Sequence, residues 1–380
     1  MPESTTPHHL LNTSWTLHRL SPLHHGKEFQ TVVDNPTALS TYAARLRDQL
    51  TGDVLAGLQQ PAPVPAGEDD DGLSKIGALK TCTWEGIGMS LLTNEDDNDN
   101  DDNEEGGNGI LIILDYENAT YKAVLLPGLK PAQGNTTTPA TTTQTTDRQQ
   151  GGSTHLPLLM TRLPTSLRQT VISFLSASFD TYCTALRLPM SFMCVGLETY
   201  ADAFLDSEYD GDGSDALQSV VKDMHLTLSF SRSIAPALKS LNITVPRTSF
   251  DEFLRSSPGT GSTASSKAFL ANISRYIEKH LSLKLDLSAS SHTTTAQTPV
   301  KQHVRLSKIA CGGFVLGAEG RIKLVGQTEG SSRDRDHGDE DSRMQNEREK
   351  LEVWGSEALL RAVMRWVGGG GGGGGGSQMG

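Results

Sequence analysis

Polar segments of restricted composition interrupt this chain and confine any folded core to the blocks between them. Four are acidic and lie at residues 68–71, 95–105, 206–215 and 332–352. A Thr/Gln/Gly-rich segment spans 130–155, and nine consecutive glycines occupy 368–376. Such segments bury too little apolar surface to offset the entropy lost on ordering. We therefore expect disordered acidic and Thr/Gly-rich inserts within a folded remainder.

The charge of the chain is unevenly distributed. The net charge is −12, yet the four acidic segments together carry −20, which leaves about +8 for the rest. A mildly basic body suits an acidic partner or a position near nucleic acid. Acidic inserts that only keep the protein soluble explain the same numbers equally well.

Composition also bears on location and redox chemistry. No apolar run approaches the roughly 20 residues that span a bilayer, and residues 1–9 lack the apolar core of a signal peptide. We expect a soluble, intracellular protein with no membrane contact. The four cysteines, at positions 82, 183, 194 and 311, include no Cys-x-x-Cys pair. This spacing favours reduced, buried thiols over a zinc site or a disulfide framework.

Residue patterns predict the elements of the N-terminal half. Residues 13–20 alternate as a strand that stops at Ser21-Pro22, and Asn35-Pro36 opens an amphipathic helix to about residue 50. Residues 76–92 predict one or two strands. Two apolar runs, 110–115 and 121–126, flank polar turn residues and predict a hairpin.

The C-terminal half mixes helices and strands. A long helical stripe begins after Pro164-Thr165 and continues past Leu186 until Pro189 stops it. We predict helices at 267–281 and 354–367 and a short helix near Phe253. The predicted strands lie at 190–198, 225–229, 241–245, 283–287, 304–310, 313–316 and 321–325.

These mixed blocks favour an α+β fold rather than regular β-α-β alternation. We expect mostly antiparallel mixed sheets with flanking helices. The predicted organisation is an N-terminal α+β part (8–128, with an acidic loop at 93–109), a disordered insert (129–156), a C-terminal α+β part (157–326), a charged loop (327–352), a C-terminal helix (353–367) and a disordered Gly-rich tail (368–380).

No enzyme motif withstands inspection. Gly312-Gly313 and the glycines up to Gly320 suggest a phosphate loop, but no Gly-Lys-Ser/Thr leads into a helix, so a hairpin is the better interpretation. The Asp210–Ser214 run lacks the glycine and the final glutamate of a calcium loop. The N-terminal histidines form no metal-binding spacing. We expect a non-enzymatic protein with no cofactor and no metal.

One feature indicates an interaction surface. Lys301, His303, Arg305 and Ser307 alternate with apolar residues, as do Arg321 and Lys323. If these strands lie together, one face is apolar and the other is basic, and it could receive an acidic partner or DNA. An ordinary solvated sheet face fits at least as well. A free strand edge could also pair with another protein by β-augmentation.

The stretches that carry a family likeness are residues 12–26, the helix at 36–50, residues 77–84, residues 307–317 and residues 320–323. Together they resemble the fungal CENP-L family of the inner kinetochore. The resemblance spans most of the chain outside the inserts.

The resemblance implies a nuclear, centromeric scaffold that supports chromosome segregation. It implies pairing with a CENP-N-like subunit, association with other inner-kinetochore subunits, an indirect link to the centromeric nucleosome or DNA, and self-association in some members. The matching C-terminal region gives the residues we predict to contact partners: Arg305, Lys308, Phe314, Leu316, Arg321, Lys323, Trp354 and Trp366. The alternative function is a stand-alone nucleic-acid-binding protein that uses the basic sheet face at residues 301–323.

Overall fold

The structure, a computed structural model, divides the chain into two compact units. It describes residues 7–55, 76–88, 108–129, 152–205, 213–233, 236–254, 266–283, 285, 287, 304–326 and 340–369. One unit consists of Met1–Pro7, Trp15–Ala185 and Met364–Gly380, and the other of His8–Ser14 and Leu186–Val363. We call them the N-terminal and the C-terminal unit. This division near residue 185 differs from the predicted parts, which meet at the insert 129–156.

The N-terminal unit contains an antiparallel sheet in the order β1-β7-β5-β4-β3, with β8 also paired to β1. Its strands are β1 (Ser14–Leu20), β2 (Leu23–His24), β3 (Leu79–Ile87), β4 (Gly109–Tyr116), β5 (Thr120–Leu126), β6 (Ser153–Thr154), β7 (Leu158–Arg162) and β8 (Cys183–Ala185). Strands β2 and β6 form a small separate pair. The predicted first strand and the predicted hairpin are confirmed.

Two helices, α1 (Pro36–Leu55) and α2 (Thr165–Phe179), contribute to the core of this unit. The Asn35 side chain accepts a hydrogen bond from the Ala38 backbone N–H at 3.1 Å, which confirms the predicted N-cap. Aromatic rings fill the centre, where the Tyr42 and Phe179 centroids lie 4.5 Å apart. Apolar burial between helices and sheet therefore holds the N-terminal unit together.

Helix α2 ends about seven residues earlier than its apolar stripe predicts. Asp180 adopts a left-handed conformation (φ 46°, ψ 44°) that terminates the helix. The Thr181 hydroxyl then donates to the Ser21 carbonyl at 2.8 Å, and the chain continues as β8 beside β1. The prediction of helix through Leu186 is wrong because these hydrogen bonds to a distant segment outweigh the local periodicity.

The C-terminal unit contains five strands of antiparallel sheet, in the order β10-β9-β11-β12-β13. Its strands are β9 (Met224–Phe230), β10 (Ser240–Val245), β11 (Val304–Ala310), β12 (Phe314–Gly317) and β13 (Arg321–Leu324). The predicted strands in these places are confirmed. The suspected phosphate loop is the hairpin of β12 and β13, whose turn is closed by a Gly320 N–H to Gly317 carbonyl bond of 2.9 Å.

Five further helices occur in the described part of the chain: α3 (Met190–Leu205), α4 (Gly213–Val221), α5 (Phe250–Leu254), α6 (Ser266–Leu281) and α7 (Glu340–Gly368). Short 3-10 turns occupy Pro7–Leu10 and Arg247–Ser249. Residues of α7 up to Val363 belong to the C-terminal unit, and those from Met364 to the N-terminal unit. Among the described helices, none combines the length and the apolar character that crossing a bilayer requires.

The predicted strand at 190–198 is instead the first half of α3. Its buried side chains include Met193, Leu197 and Phe204, at helical spacing. The Met193 N–H donates to the Pro189 carbonyl at 3.1 Å, so Pro189 opens this helix and does not stop the previous one, which ends at Phe179. The prediction was wrong because a short apolar run does not distinguish a buried strand from a buried helix.

Other predicted loops contain regular structure. Helix α7 begins at Glu340, within the predicted charged loop 327–352, and α4 begins within the acidic segment 206–215. Leu285 and Leu287 are buried, but they lie in no strand, contrary to prediction. Residues 93–107 of the predicted acidic loop (93–109), residues 130–151 of the predicted disordered insert (129–156) and the predicted tail (368–380) from residue 370 lie outside the described residues. Strand β6 (Ser153–Thr154) falls within the predicted disordered insert, and α7 includes Gly368, the first residue of the predicted tail.

Tyr200 of α3 lies between two glycines that the C-terminal unit requires. A Cβ on Gly313 would overlap the Tyr200 hydroxyl group. A Cβ on Gly355 of α7 would lie 2.9 Å from the Tyr200 ring and 2.7 Å from the Phe204 ring. Because Tyr200 is fully buried between both glycines, its ring has no room to retreat. The glycines therefore allow β12 and α7 to approach α3 closely.

We predict opposite effects for two glycine-to-alanine changes in helices. Gly355→Ala should destabilise the protein by about 1–3 kcal/mol, because overpacking against Tyr200 and Phe204 exceeds the gain in helix propensity. Gly52→Ala in α1 meets no atom within 4 Å and should stabilise by up to about 1 kcal/mol. Chemical denaturation of both variants measures the difference. Equal stabilisation by both changes would contradict the packing around Tyr200.

Candidate interaction surface of the C-terminal unit

A β-bulge in β11 determines which side chains this sheet exposes. Leu306 pairs with Leu228 and Lys308 pairs with Thr227, so Ser307 is an extra residue in the ladder. Leu306 and Ile309 are therefore both buried, although they are three residues apart. The Ser307 hydroxyl donates to the Thr227 carbonyl at 3.0 Å and fastens the bulge to β9. Arg305 and Lys308 both point outward as a result.

The outer face of the sheet is polar and basic across five strands. Cross-strand pairing defines three outward rows: Asn242-Thr227-Lys308-Gly317-Arg321, Thr244-His225-Ala310-Val315-Lys323 and Ser240-Ser229-Arg305. We call these residues the basic face. Arg305, Lys308 and Arg321 are exposed, and Lys323 is half-buried. No aspartate or glutamate occurs in these rows.

One carboxylate nevertheless lies against the basic face. A Cβ on Gly317 would come within 2.7 Å of the Glu319 carboxylate, so Glu319 covers the outer side of β12. Gly317 separates Lys308 from Arg321 in their row. Strands lie about 4.8 Å apart, so roughly 10 Å separates the two cationic positions. Glu319 therefore partly neutralises the centre of the face, which the strand pattern alone does not reveal.

Strand β10 ends the order of the strands that the structure describes, and it pairs with β9 alone among them. We call its other side the free edge of β10, with respect to these described strands. The Phe230 N–H donates to the Lys239 carbonyl at 3.3 Å, and antiparallel pairs alternate between bonded and non-bonded. The main-chain groups of Ser240, Asn242 and Thr244 therefore point away from β9. The side chains of the same three residues are exposed, so this edge is polar.

The structure separates the predicted contact residues into core and surface. Arg305, Lys308, Arg321 and Lys323 all lie on the basic face. Phe314 and Leu316 are fully buried, because the inward positions of β12 alternate with Val315 and Gly317. These two side chains stabilise the sheet and present no surface to a partner. The alternation indicated that Phe314 and Leu316 share a face, but not that this face is the core.

The two predicted tryptophans lie in different units. Trp354 is half-buried in the part of α7 that belongs to the C-terminal unit. Trp366 is half-buried in the last turns of α7, which belong to the N-terminal unit. The structure therefore does not place them on the basic face, and their role in partner binding stays a prediction.

Helix α7 also carries a buried carboxyl group in the C-terminal unit. Loss of hydration raises the pKa of Glu357 from 4.5 to about 7, and the nearby Arg361 guanidinium offsets part of this rise. The Arg361 Nη2 and Glu357 Oε2 atoms are 4.0 Å apart, a long ion pair. Glu357 is therefore costly to ionise in the folded protein.

The described surface offers charged side chains and main-chain hydrogen-bonding groups that could bind another molecule. In the described ranges, no group of three His, Cys, Asp or Glu side chains is arranged to hold a metal ion. What the C-terminal unit presents is a basic face, a polar strand edge and a well-packed core beneath them. These features define the class: an α+β protein with an extensive antiparallel sheet.

A family model described as Centromere protein L, CENP-L, matches residues 9–365, which is nearly the whole chain. The chain belongs to the CENP-L family, a structural family of the centromere and kinetochore that is not known for enzymatic activity. Membership implies a nuclear, chromosomal location and association with other inner-kinetochore subunits. A comparison with curated proteins gives no significant match.

We predict that Glu357→Gln changes the pH dependence of stability. The folded pKa of about 7 exceeds the ordinary value of 4.5, so the unfolded chain loses this proton first and wild-type stability falls as pH rises from about 4.5 to 7. Glutamine does not ionise, so the variant should gain melting temperature relative to the wild type at pH 8 and much less at pH 5. A difference in melting temperature that is the same at both pH values would contradict the burial of Glu357.

Proposed function

We propose that this protein is a non-enzymatic scaffold of the inner kinetochore that pairs with a CENP-N-like subunit through its C-terminal unit. Through that pairing it helps to link centromeric chromatin to the kinetochore during chromosome segregation. Membership in the CENP-L family supports the placement of this role at the kinetochore. The observation that carries the pairing is the free edge of β10, where three residues direct their main-chain groups away from the sheet.

The chemistry of this edge suits the addition of a partner strand. A strand placed beside β10 would bond to the outward N–H and carbonyl groups of Ser240, Asn242 and Thr244. Leu241 and Ile243 are half-buried on the inner side, so further apolar cover from a partner would remove exposed apolar surface from water. Acidic side chains on the partner's outer side would meet the basic face. The same edge could join two copies of this chain, and the pairing experiment separates the two outcomes.

We predict that Asn242→Pro abolishes the pairing while Asn242→Ala leaves it intact. Proline removes a main-chain N–H that points to the free edge, and it is tolerated on an edge strand, so the ladder with β9 remains. Alanine removes the same side chain but keeps the N–H. Size-exclusion chromatography with light scattering, with and without a CENP-N-like partner, measures both complex formation and self-association. Equal binding by both variants would contradict pairing at β10.

A second candidate function is supported by the four cations of the basic face. Duplex DNA has a negative surface that these side chains could contact. The Glu319 carboxylate, which lies over Gly317 on the same face, would repel the phosphates and weaken that contact. Phosphate contacts carry no sequence information, so this binding would be non-specific and sensitive to salt.

The DNA hypothesis predicts opposite responses to two changes. Reversing Arg305, Lys308, Arg321 and Lys323 to glutamate should remove DNA binding at low salt. Glu319→Gln should tighten it, and the logarithm of affinity should fall with the logarithm of salt by about 0.9 per phosphate contact. Fluorescence anisotropy with a labelled duplex measures all three proteins. Lys27→Glu is the control, because it reverses an exposed lysine that lies outside the basic face. No binding by the wild type at low salt would exclude this function.

A further inference from the structure

The connection between β9 and β10 forms an exposed tip at one end of their hairpin. Strand β9 ends at Phe230 and β10 begins at Ser240, so residues 231–239 join them. The Phe230 N–H to Lys239 carbonyl bond of 3.3 Å holds the two ends of this connection together. Four of its exposed residues make up what we call the hairpin tip: Arg232, Pro236, Leu238 and Lys239.

The hairpin tip is basic, and no carboxylate lies near it in the chain. Residues 224–250 and strand β11 contain no aspartate or glutamate. Asp223 lies at the opposite end of the hairpin, where its carboxylate accepts the Arg247 N–H at 3.0 Å. Glu319 lies over β12, which β11 separates from the hairpin. Arg232 and Lys239 therefore attract a polyanion, and no carboxylate of these strands opposes them.

The side chains along the hairpin are of the types that contact a nucleic-acid backbone. Those on the outer face of β9 and β10 carry hydroxyl, amide or imidazole groups; they belong to His225, Thr227, Ser229, Ser240, Asn242 and Thr244. Serine, threonine and asparagine commonly donate to phosphate and sugar oxygens. The side chains that dominate protein interfaces are mostly tryptophan, tyrosine and arginine, and residues 224–250 contain no tryptophan or tyrosine. The composition therefore favours a nucleic acid over a protein as the ligand of the tip.

Two apolar side chains stand between the cations of the hairpin tip. Leu238 is 44 % exposed, and Pro236 is exposed as well. We propose that the hairpin tip binds the minor groove of duplex DNA, with Leu238 inserted as a wedge between two base pairs. Arg232 and Lys239 lie beside the flanking phosphates in this arrangement. Leucine and proline are among the residues that serve as such wedges, and their insertion kinks the duplex by about 20–90°.

This inference deepens the second candidate function and rests on it, because both require the protein to bind DNA. The residues that make the contact differ. The four cations of the basic face lie within β11 and β13, whereas the hairpin tip lies between β9 and β10. Pairing at the free edge of β10 uses main-chain groups of Ser240, Asn242 and Thr244 and no side chain of the tip. Each of the three contacts is therefore lost through a different set of variants.

The test compares the full-length wild type with Leu238→Ala and with Arg232→Glu combined with Lys239→Glu. Leu281→Ala is the matched control for apolar area, because Leu281 on α6 is also 44 % exposed. Lys27→Glu is the control for charge reversal. Each protein is titrated into a duplex of about 30 base pairs that carries one dye at each end. Energy transfer between the dyes reports bending, anisotropy reports affinity, and distamycin, which fills the minor groove, is the competitor.

The wild type should raise energy transfer, because a kink brings the two ends of the duplex closer together, and distamycin should displace it. Leu238→Ala should abolish this rise while the variant still binds. The double reversal of Arg232 and Lys239 should weaken binding by roughly tenfold or more at low salt and reduce the salt slope by about 1.8, for two lost phosphate contacts. Both control variants should bind and bend the duplex like the wild type.

The proposal is overturned if Leu238→Ala bends the duplex as the wild type does, or if distamycin does not compete. Binding by the wild type without bending would also overturn it, but would leave DNA binding by the basic face intact. No binding at low salt would overturn both. Pairing with the CENP-N-like subunit is measured on the same proteins by size-exclusion chromatography and should be unchanged in every variant, so a failure of that pairing is distinguished from a failure of the wedge.

Discussion

The single extra residue in β11 is the constraint from which the surface of the C-terminal unit follows. In a regular strand, Leu306 and Ile309 would face opposite sides of the sheet, because side chains alternate with a period of two. The bulge at Ser307 returns Ile309 to the buried face and Lys308 to the exposed one. The neighbouring strands β9, β12 and β13 pair with β11 or with one another so that their buried and exposed side chains lie on the same two faces. One inserted residue thus keeps the core apolar and gathers the cations on the other side.

The core of the same unit depends on the close approach of α3, α7 and β12 to one another rather than on charged groups. Gly313 and Gly355 leave just enough room for Tyr200, and Phe314 packs against the same ring with centroids 4.7 Å apart. This packing fixes α3 and α7 on the inner side of the sheet. The basic face lies on the opposite side of the sheet from this packing.

Local patterns in the sequence predicted much of the fold, and distant contacts determined the rest. The Asn35 cap, the first strand and the hairpin of β12 and β13 depend on neighbouring residues, so the sequence shows them. The end of α2 depends on hydrogen bonds between Thr181 and Ser21, which are far apart in the chain. Helix α3 was mistaken for a strand because its first half is a short apolar run.

The candidate surface was predictable to a similar degree. Alternation around Arg305 and Arg321 indicated an exposed basic face, and all four predicted cations lie on it. Alternation cannot tell which face is the core, so Phe314 and Leu316 were included in error. The bulge at Ser307, the Glu319 carboxylate over Gly317 and the outward groups of β10 arise from pairing between strands, which a single sequence does not show.

Hydrogen exchange of the complete chain tests the central claim, that a partner adds to the edge of β10. Exchange is measured by mass spectrometry, alone and with the CENP-N-like subunit, at saturating concentration. The amides of Asn242 and Thr244, which point away from β9, should exchange readily in the free protein and become protected in the complex. The amides of β3, the end strand of the N-terminal unit, should not change. Unchanged exchange in β10, with protection elsewhere in a formed complex, would contradict the account.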